Sequence, residues 1–383
     1  MKKILLATTA VVALSTVSAE AFAADKIAMS VGGFMNQYAA LVNNDEPSSA
    51  ANSEVARTVN IAQWSNSEIF FRGNTTMDNG ISVAADIQME TSTRTVGGRN
   101  FDVASLEFSS DAMGAVTIGS TTHSVDDFTT RAPNVGLDYG DQAANFNSYA
   151  DSATGASTVI SGGTFSAGKQ LDDLGGKGLK LKYVSPNFSG VNVHISYAAA
   201  TDNGGQIKQV TGAAAADSYS YGIAYSGEVS GASVSADLTH AKVSTAYDQN
   251  HFGINVGMAG FTVGGGITDF NDSRTTAAAV AAATGGNEDG RGYELGVAYE
   301  TGPMAVSATY ANVKSNGTTA ATQDNEDTSW SVAGAYDLGA GVAVTGTYYS
   351  QKINGEDTGT AATVTTGKSI TSKGLVAGIE VSF

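Results

Sequence analysis

The sequence predicts an all-β chain: a 16-stranded antiparallel transmembrane β-barrel with an inward-folded third loop. Three observations lead to this class. The chain ends inside a strand, it begins with an export signal, and short and long connections alternate strictly between its alternating segments. In the last stretch, Lys368 to Phe383, the residues Leu375, Ala377, Ile379, Val381 and Phe383 take every second position, with Gly378, Glu380 and Ser382 between them. A period of two gives a strand one apolar and one polar face. A terminal strand leaves an open edge unless both sides are paired, and closing the sheet on itself removes both edges.

The N-terminus sets the compartment. Lys2 and Lys3 precede an apolar run from Ile4 to Val17, and Ala21-Phe22-Ala23 supplies a small-x-small cleavage site. This reads as a signal peptide over 1–23, with 24–383 as the mature barrel domain. A membrane anchor fits less well, because the run falls short of the roughly 20 apolar residues a spanning helix needs.

Composition narrows the class further. No run after Ala24 is long and apolar enough for a transmembrane helix. There are no cysteines, so an exported chain of this size depends on a hydrogen-bonded sheet instead of disulfides. The 46 Gly and only 4 Pro suit close-packed strands joined by tight turns. The net charge of −17 becomes −18 once Lys2, Lys3 and Glu20 leave with the signal, which argues against nucleic-acid or polyanionic partners.

Taken in order, the first strand is Ile27 to about Ala40, with Ile27, Met29, Val31 and Met35 on one parity. The second lies near Ser67 to Met77 and ends in the tight turn Asp78-Asn79-Gly80, where Asn-Gly tolerates the positive backbone angles that hairpin turns require. In the third, Ile81, Val83, Ala85, Ile87 and Met89 alternate with Ser82, Ala84, Asp86, Gln88 and Glu90, so one face suits hydrocarbon and the other water. The same alternation recurs in Val191-Val193-Ile195-Tyr197, in Tyr219-Tyr221-Ile223-Tyr225 and in Tyr293-Leu295-Val297-Tyr299. Seven short connections fall at 78–80, 111–114, 186–190, 226–231, 258–260, 301–303 and 337–341. Eight longer ones fall at about 41–56, 91–99, 123–176, 201–216, 244–249, 271–290, 315–328 and 354–367. Fifteen connections join sixteen strands, with the longer loops on one side and both termini on the other.

The connection from His123 to Gly176 is far longer than a compact domain usually carries. Folded inward, it would fill a lumen otherwise too wide for selective passage; left outside, it is a solvated acidic loop. Its acids Asp126, Asp127, Asp138 and Asp141 stand beside Phe128, Tyr139 and Phe146.

The signal, the segment Ser67-Glu68-Ile69-Phe70-Phe71-Arg72-Gly73 before the Asp-Asn-Gly turn, the oversized connection after strand five and the ending Gly378-Ile379-Glu380-Val381-Ser382-Phe383 resemble the general diffusion porins of alphaproteobacterial outer membranes. The resemblance runs the length of the mature chain. It implies a homotrimer of water-filled barrels in the outer membrane, with both termini periplasmic, contact with lipopolysaccharide, and passive passage of small hydrophilic solutes. It also implies that acids of the third loop, Asp126, Asp127, Asp138 and Asp141, face bases on the wall. Arg72, Lys180 and Lys182 lie on the water-facing parity and are the candidates, with Arg94, Arg99 and Arg131 as further contributors. Phe383 resembles the terminal signal read by the barrel insertion machinery. The acidic balance predicts a weak cation preference.

Catalytic readings find little support. Gly367-Lys368-Ser369 ends like a phosphate-binding loop, but Ala362 stands where its first glycine belongs and a strand follows where a helix should. His123, His194, His240 and His251 lack metal-ligand spacing, and no nucleophile elbow is present, so neither an enzyme nor a cofactor is expected. Asn287-Glu288-Asp289 and Asp324-Asn325-Glu326-Asp327 are acidic enough for calcium in outer loops, although solvated loop charge explains them equally well. A secreted soluble β-rich adhesin or surface-layer protein, and a ligand-specific channel or barrel enzyme, stand as alternatives.

Overall fold

A period-two pattern can bury one face of a strand only against another layer, or it can turn that face to lipid. In this chain it does the second. A computed structural model describes residues 26–44, 61–91, 101–136, 177–199, 217–243, 247–272, 288–315, 325–354, 358–360, 363–365 and 369–383. The strands are β1 (Ser30–Asn44), β2 (Ile61–Thr76), β3 (Ser82–Glu90), β4 (Phe101–Ser110), β5 (Gly114–Thr121), β6 (Gly178–Val184), β7 (Val191–Ala198), β8 (Ser218–Val229) and β9 (Ala232–Val243). They continue as β10 (Tyr247–Met258), β11 (Phe261–Asp272), β12 (Glu288–Thr301), β13 (Met304–Ser315), β14 (Asn325–Gly339) and β15 (Val342–Asn354). Two short strands, β16 (Thr358–Thr360) and β17 (Thr363–Thr365), pair only with each other before β18 (Ser369–Ser382). One helical turn, α1, spans Ser124–Phe128.

Sixteen strands, β1 to β15 and β18, form one closed antiparallel barrel in chain order. The seam joins β1 to β18 in the register Leu41↔Leu375, Ala39↔Ala377, Gln37↔Ile379 and Met35↔Val381. Phe383 completes it, since its backbone exchanges hydrogen bonds of 2.9 and 3.0 Å with Gly33. The terminal strand therefore has a partner on each side, β1 and β15.

Burial is inverted relative to a water-soluble sandwich. Ile87, Ile195, Ile223, Leu238, Leu295, Val332 and Leu375 are exposed on the outer face. His194, Ser196, Ser220, Asp237, Thr239, Gln249 and Thr268 are buried on the inner one. An outer wall of Leu, Ile, Val and Phe around a polar interior is stable where the outside is hydrocarbon and every backbone group is paired within the sheet.

The sequence-based boundaries shift in four places. β1 extends to Asn44 instead of ending near Ala40, and β2 starts at Ile61, six residues before Ser67, because cross-strand pairing continues through residues 61–66. The connection expected at 244–249 shrinks to 244–246, since Tyr247, Asp248 and Gln249 pair with Val243, Lys242 and Ala241. At Asp78-Asn79-Gly80 only Gly80 has positive φ (81°). The closing bonds run from Met77 N–H to Ile81 O and from Gly80 N–H to Met77 O, which makes a three-residue turn with a glycine bulge over the expected connection 78–80. Two-residue turns with both central φ positive occur at Ala259-Gly260 and Ala340-Gly341. Finally, Glu288, Asp289, Asn325, Glu326 and Asp327 lie in β12 and β14 and not in loops; Glu326 faces outward beside Lys314, whereas Asp327 faces inward and accepts from Gln351.

Candidate functional site

The inner face of the barrel encloses a continuous cavity of about 3350 Å³ that reaches from the short turns at Gly260, Gly302 and Gly341 up to Trp64 and Lys177. Eleven carboxylates and four bases, Arg72, Arg131, Lys177 and Lys182, line it among the described residues.

Residues 123–136, which follow β5, are held to the inner wall by successive strands. His123 bonds Ser196 on β7 through Nδ1 (2.8 Å) and Ser218 on β8 through Nε2 (2.9 Å). Ser124 meets His194 Nδ1 (2.9 Å) and Ser220 Oγ (3.1 Å), and Phe128 stacks on the His194 ring at 4.6 Å. Val125 is fully buried among Ala241, Val243, Phe270 and Val313. Beyond α1 the chain is extended. The Thr130 N–H donates to Asp237 Oδ1 on β9 (2.6 Å), and the Thr130 carbonyl accepts from His251 Nε2 on β10 (3.2 Å). That contact makes Nε2 the protonated nitrogen, so Nδ1 accepts from Thr268 Oγ1 at 2.8 Å. The Arg131 carbonyl accepts from Asn255, the Ala132 N–H donates to Glu294 on β12 (2.8 Å), and the Val135 N–H donates to Ser307 on β13 (3.0 Å).

The wall is shaped to receive this segment. A side chain at Gly253 would collide with the Thr130 carbonyl, and one at Gly296 would lie 2.8 Å from Pro133 O. Val135 packs on Ala298, Ala305 and Ala333. Small residues thus make room for the segment's backbone between the polar side chains that hold it.

Of the candidate pore residues, Asp126, Asp127, Lys180 and Lys182 are brought together where the segment leaves β5. Lys182 Nζ lies 2.6 Å from Asp127 Oδ2, so this acid and base meet directly instead of facing each other across the opening. Lys180 is buried and donates to the Thr121 carbonyl at 2.9 Å, with Asp126 within electrostatic range. Arg72 lies elsewhere on the wall, bound to Asp86 Oδ1 at 3.0 Å and 4.2 Å above the Phe70 ring. Asp138, Asp141, Arg94 and Arg99 fall outside the described residues. Phe383 is exposed on the outer face at the barrel seam. Sequence reasoning missed His123, His194, Asp237, His251 and Glu294 as holders of the segment. Their one signal was polarity on the inward parity, which many other positions share.

Residues 7–356 match the family model of the Gram-negative porins. The chain belongs to that family. No curated protein matches it. Among solved structures, a loop-deletion mutant of OmpT, an outer membrane protein of Vibrio cholerae, aligns with a TM-score of 0.58 and 13% identity over 94% of this chain and 100% of that one. An anion-selective porin from Comamonas acidovorans gives 0.56 and 15% over 94% and 100%, and a mutant of the Rh. blastica porin gives 0.55 and 17% over 93% and 100%. At these identities the likeness establishes the fold. This porin is an outer-membrane channel protein, and its apolar exterior disfavours the soluble adhesin reading.

Proposed function

We propose that this porin is a passive, water-filled pore for small hydrophilic solutes and ions with a weak preference for cations. One observation carries the sign of that preference: carboxylates outnumber bases eleven to four along the described lining. A lumen with this imbalance raises the local concentration of cations and lowers that of anions without a tight site, because the effect is one of potential. The anion-selective porin with a similar barrel supports treating selectivity as a property of the lining charges and not of the fold.

In this reading Asp126 and Asp127, with Asp138 and Asp141 further along the same connection, are the acids of the constriction. Arg72, Lys180 and Lys182 are the bases of its wall. The segment 123–136, tied to the inner face, begins that constriction. The further parts of the proposal are an alphaproteobacterial general diffusion porin, a homotrimer, both termini periplasmic after removal of 1–23, lipopolysaccharide around the rim, and Phe383 as the mark read by the insertion machinery. The pore works without a cofactor or a chemical step; calcium at the acidic outer positions would add structure, not turnover. The experiment is a planar-bilayer recording of the purified protein in a salt gradient. Ohmic steps with a reversal potential of cation-selective sign are expected, in groups of three for a trimer, and a clear anion-selective potential refutes the assignment of the lining.

A further inference from the structure

A pore that passes polar solutes by diffusion alone has no need for aromatic rings on its inner face, where water-facing positions ordinarily carry polar or small residues. In β1 and β2 the inward parity carries four. Tyr38 and Trp64 are register partners, with ring centroids 5.2 Å apart and planes 26° from parallel. Phe34 and Phe70 form a second pair at 5.7 Å and 58°. Asn36 and Asn66, opposite each other in the register, lie between the two pairs. Phe34 lies four positions from Tyr38 and Phe70 six from Trp64, so the pairs stand about 13 Å apart along β1 and about 20 Å along β2.

The column is also braced from behind. Tyr38 is buried, lies over Gly378 where a side chain would collide with its ring, and donates its hydroxyl to Glu380 Oε1 at 2.9 Å. It therefore forms a fixed floor for Trp64. Phe70 is held by the Arg72 guanidinium at 4.2 Å, which is itself held by Asp86. Phe34, Trp64 and Phe70 remain half-exposed and line the cavity. Rigid rings with open faces, flanked by planar amides, match one solute chemistry in particular. A saccharide presents an apolar C–H face to a ring and a rim of hydroxyls to polar neighbours. We propose that this column is a binding track for neutral saccharides inside the channel, running along β1 and β2 on the side of the lumen that carries Arg72. The inference rests on the pore reading above and adds a solute class to it.

The test is bilayer recording of the full mature protein with maltotriose as the neutral probe and a polyethylene glycol of equal size as the inert comparison. With maltotriose the current is expected to fall to a plateau as concentration rises, whereas the polymer lowers it only in step with viscosity. Trp64→Ala is expected to raise the half-blocking concentration about fivefold, the effect of losing one ring contact. A second readout uses the two tryptophans of the chain. Trp330 is on the outer face, so Trp330→Phe leaves Trp64 as the sole emitter, and maltotriose should shift its emission saturably. Equal, unsaturable decreases with sugar and polymer, an unchanged half-blocking concentration in Trp64→Ala, or emission from Trp64 that ignores maltotriose each overturn the track while leaving the pore intact. A protein that conducts no ions at all overturns both.

Discussion

Asp237→Ala should release the segment at Thr130 from the wall. In the native chain the Asp237 carboxylate accepts the Thr130 N–H at 2.6 Å, is itself buried, and lies 3.7 Å from His251 Nε2, which holds the carbonyl of the same residue. Both backbone polar groups of one residue are therefore satisfied by side chains of two adjacent strands. A hydrogen bond to a carboxylate contributes about 1–3 kcal/mol, so removing this acceptor should raise the population with a released Thr130 amide about 5- to 150-fold. Hydrogen–deuterium exchange of peptides covering 124–136 reads that population directly when reclosing is fast. Asp237→Asn keeps an acceptor at nearly the same volume and should give a smaller acceleration than Ala. Arg291 and Asp269 pair on the outer rim, so Asp269→Ala serves as the control that leaves the segment alone. Exchange at 124–136 within twofold of native in Asp237→Ala, with the barrel still folded, would show that this contact is incidental and that the segment is held by something else.

Four other outcomes follow from the same geometry. Gly296→Val places carbon against Pro133 and Ala132 (2.8 to 3.2 Å), so it should displace the segment toward the lumen at a cost of about 1–3 kcal/mol, seen as a lower single-channel conductance. Lys182→Gln strips Asp127 of its partner at 2.6 Å and should move the reversal potential further toward cations, while Asp127→Asn moves it the other way; identical potentials for the two variants would refute the assignment. Ile87→Arg puts a charge on the outer face and should destabilise the barrel by about 2–4 kcal/mol if that level is near the bilayer midplane, measured by denaturant unfolding in liposomes. Phe383→Ser removes the ring that packs beside Gly33 at the seam and should reduce the yield of folded barrel in the membrane, read by the heat-dependent shift in gel mobility.

The wall was legible because a membrane barrel tolerates few exceptions to alternation. Asp86 and Ile87 are neighbours in sequence, yet one bonds Arg72 inside and the other is exposed outside, and a one-residue slip would turn each to the wrong face. Strand count and sidedness came from the same constraint. The path of residues 123–136 was not legible, because each of its anchors is a single polar side chain contributed by a distant strand. Thr130 reaches Asp237 across 107 positions and Val135 reaches Ser307 across 172, and neither partner differs in kind from any other inward polar residue. The inward aromatics were hidden for a related reason: Phe34 and Phe70 sit on the polar parity, where a pattern count treats them as noise.

Side-chain size also differs between the two sides of the inner face. Beneath the segment the wall carries Gly253, Gly296, Ala298 and Ala333, whose side chains leave room for a second layer of backbone. On β1 to β3, where that part of the segment does not run, it carries Asn36, Asn66, Glu68, Gln88 and Glu90, which extend into the cavity. Beneath the segment the small inward residues therefore make room for its backbone, while the inward polar residues there, Asp237, Asn255 and Glu294, bond its amides and carbonyls. The same relation holds at the seam. Gly378 is inward and lies under a ring, Tyr38, so a bulky residue there should displace Tyr38 and with it the floor beneath Trp64, altering sugar block and Trp64 emission while leaving exchange at 124–136 as it was.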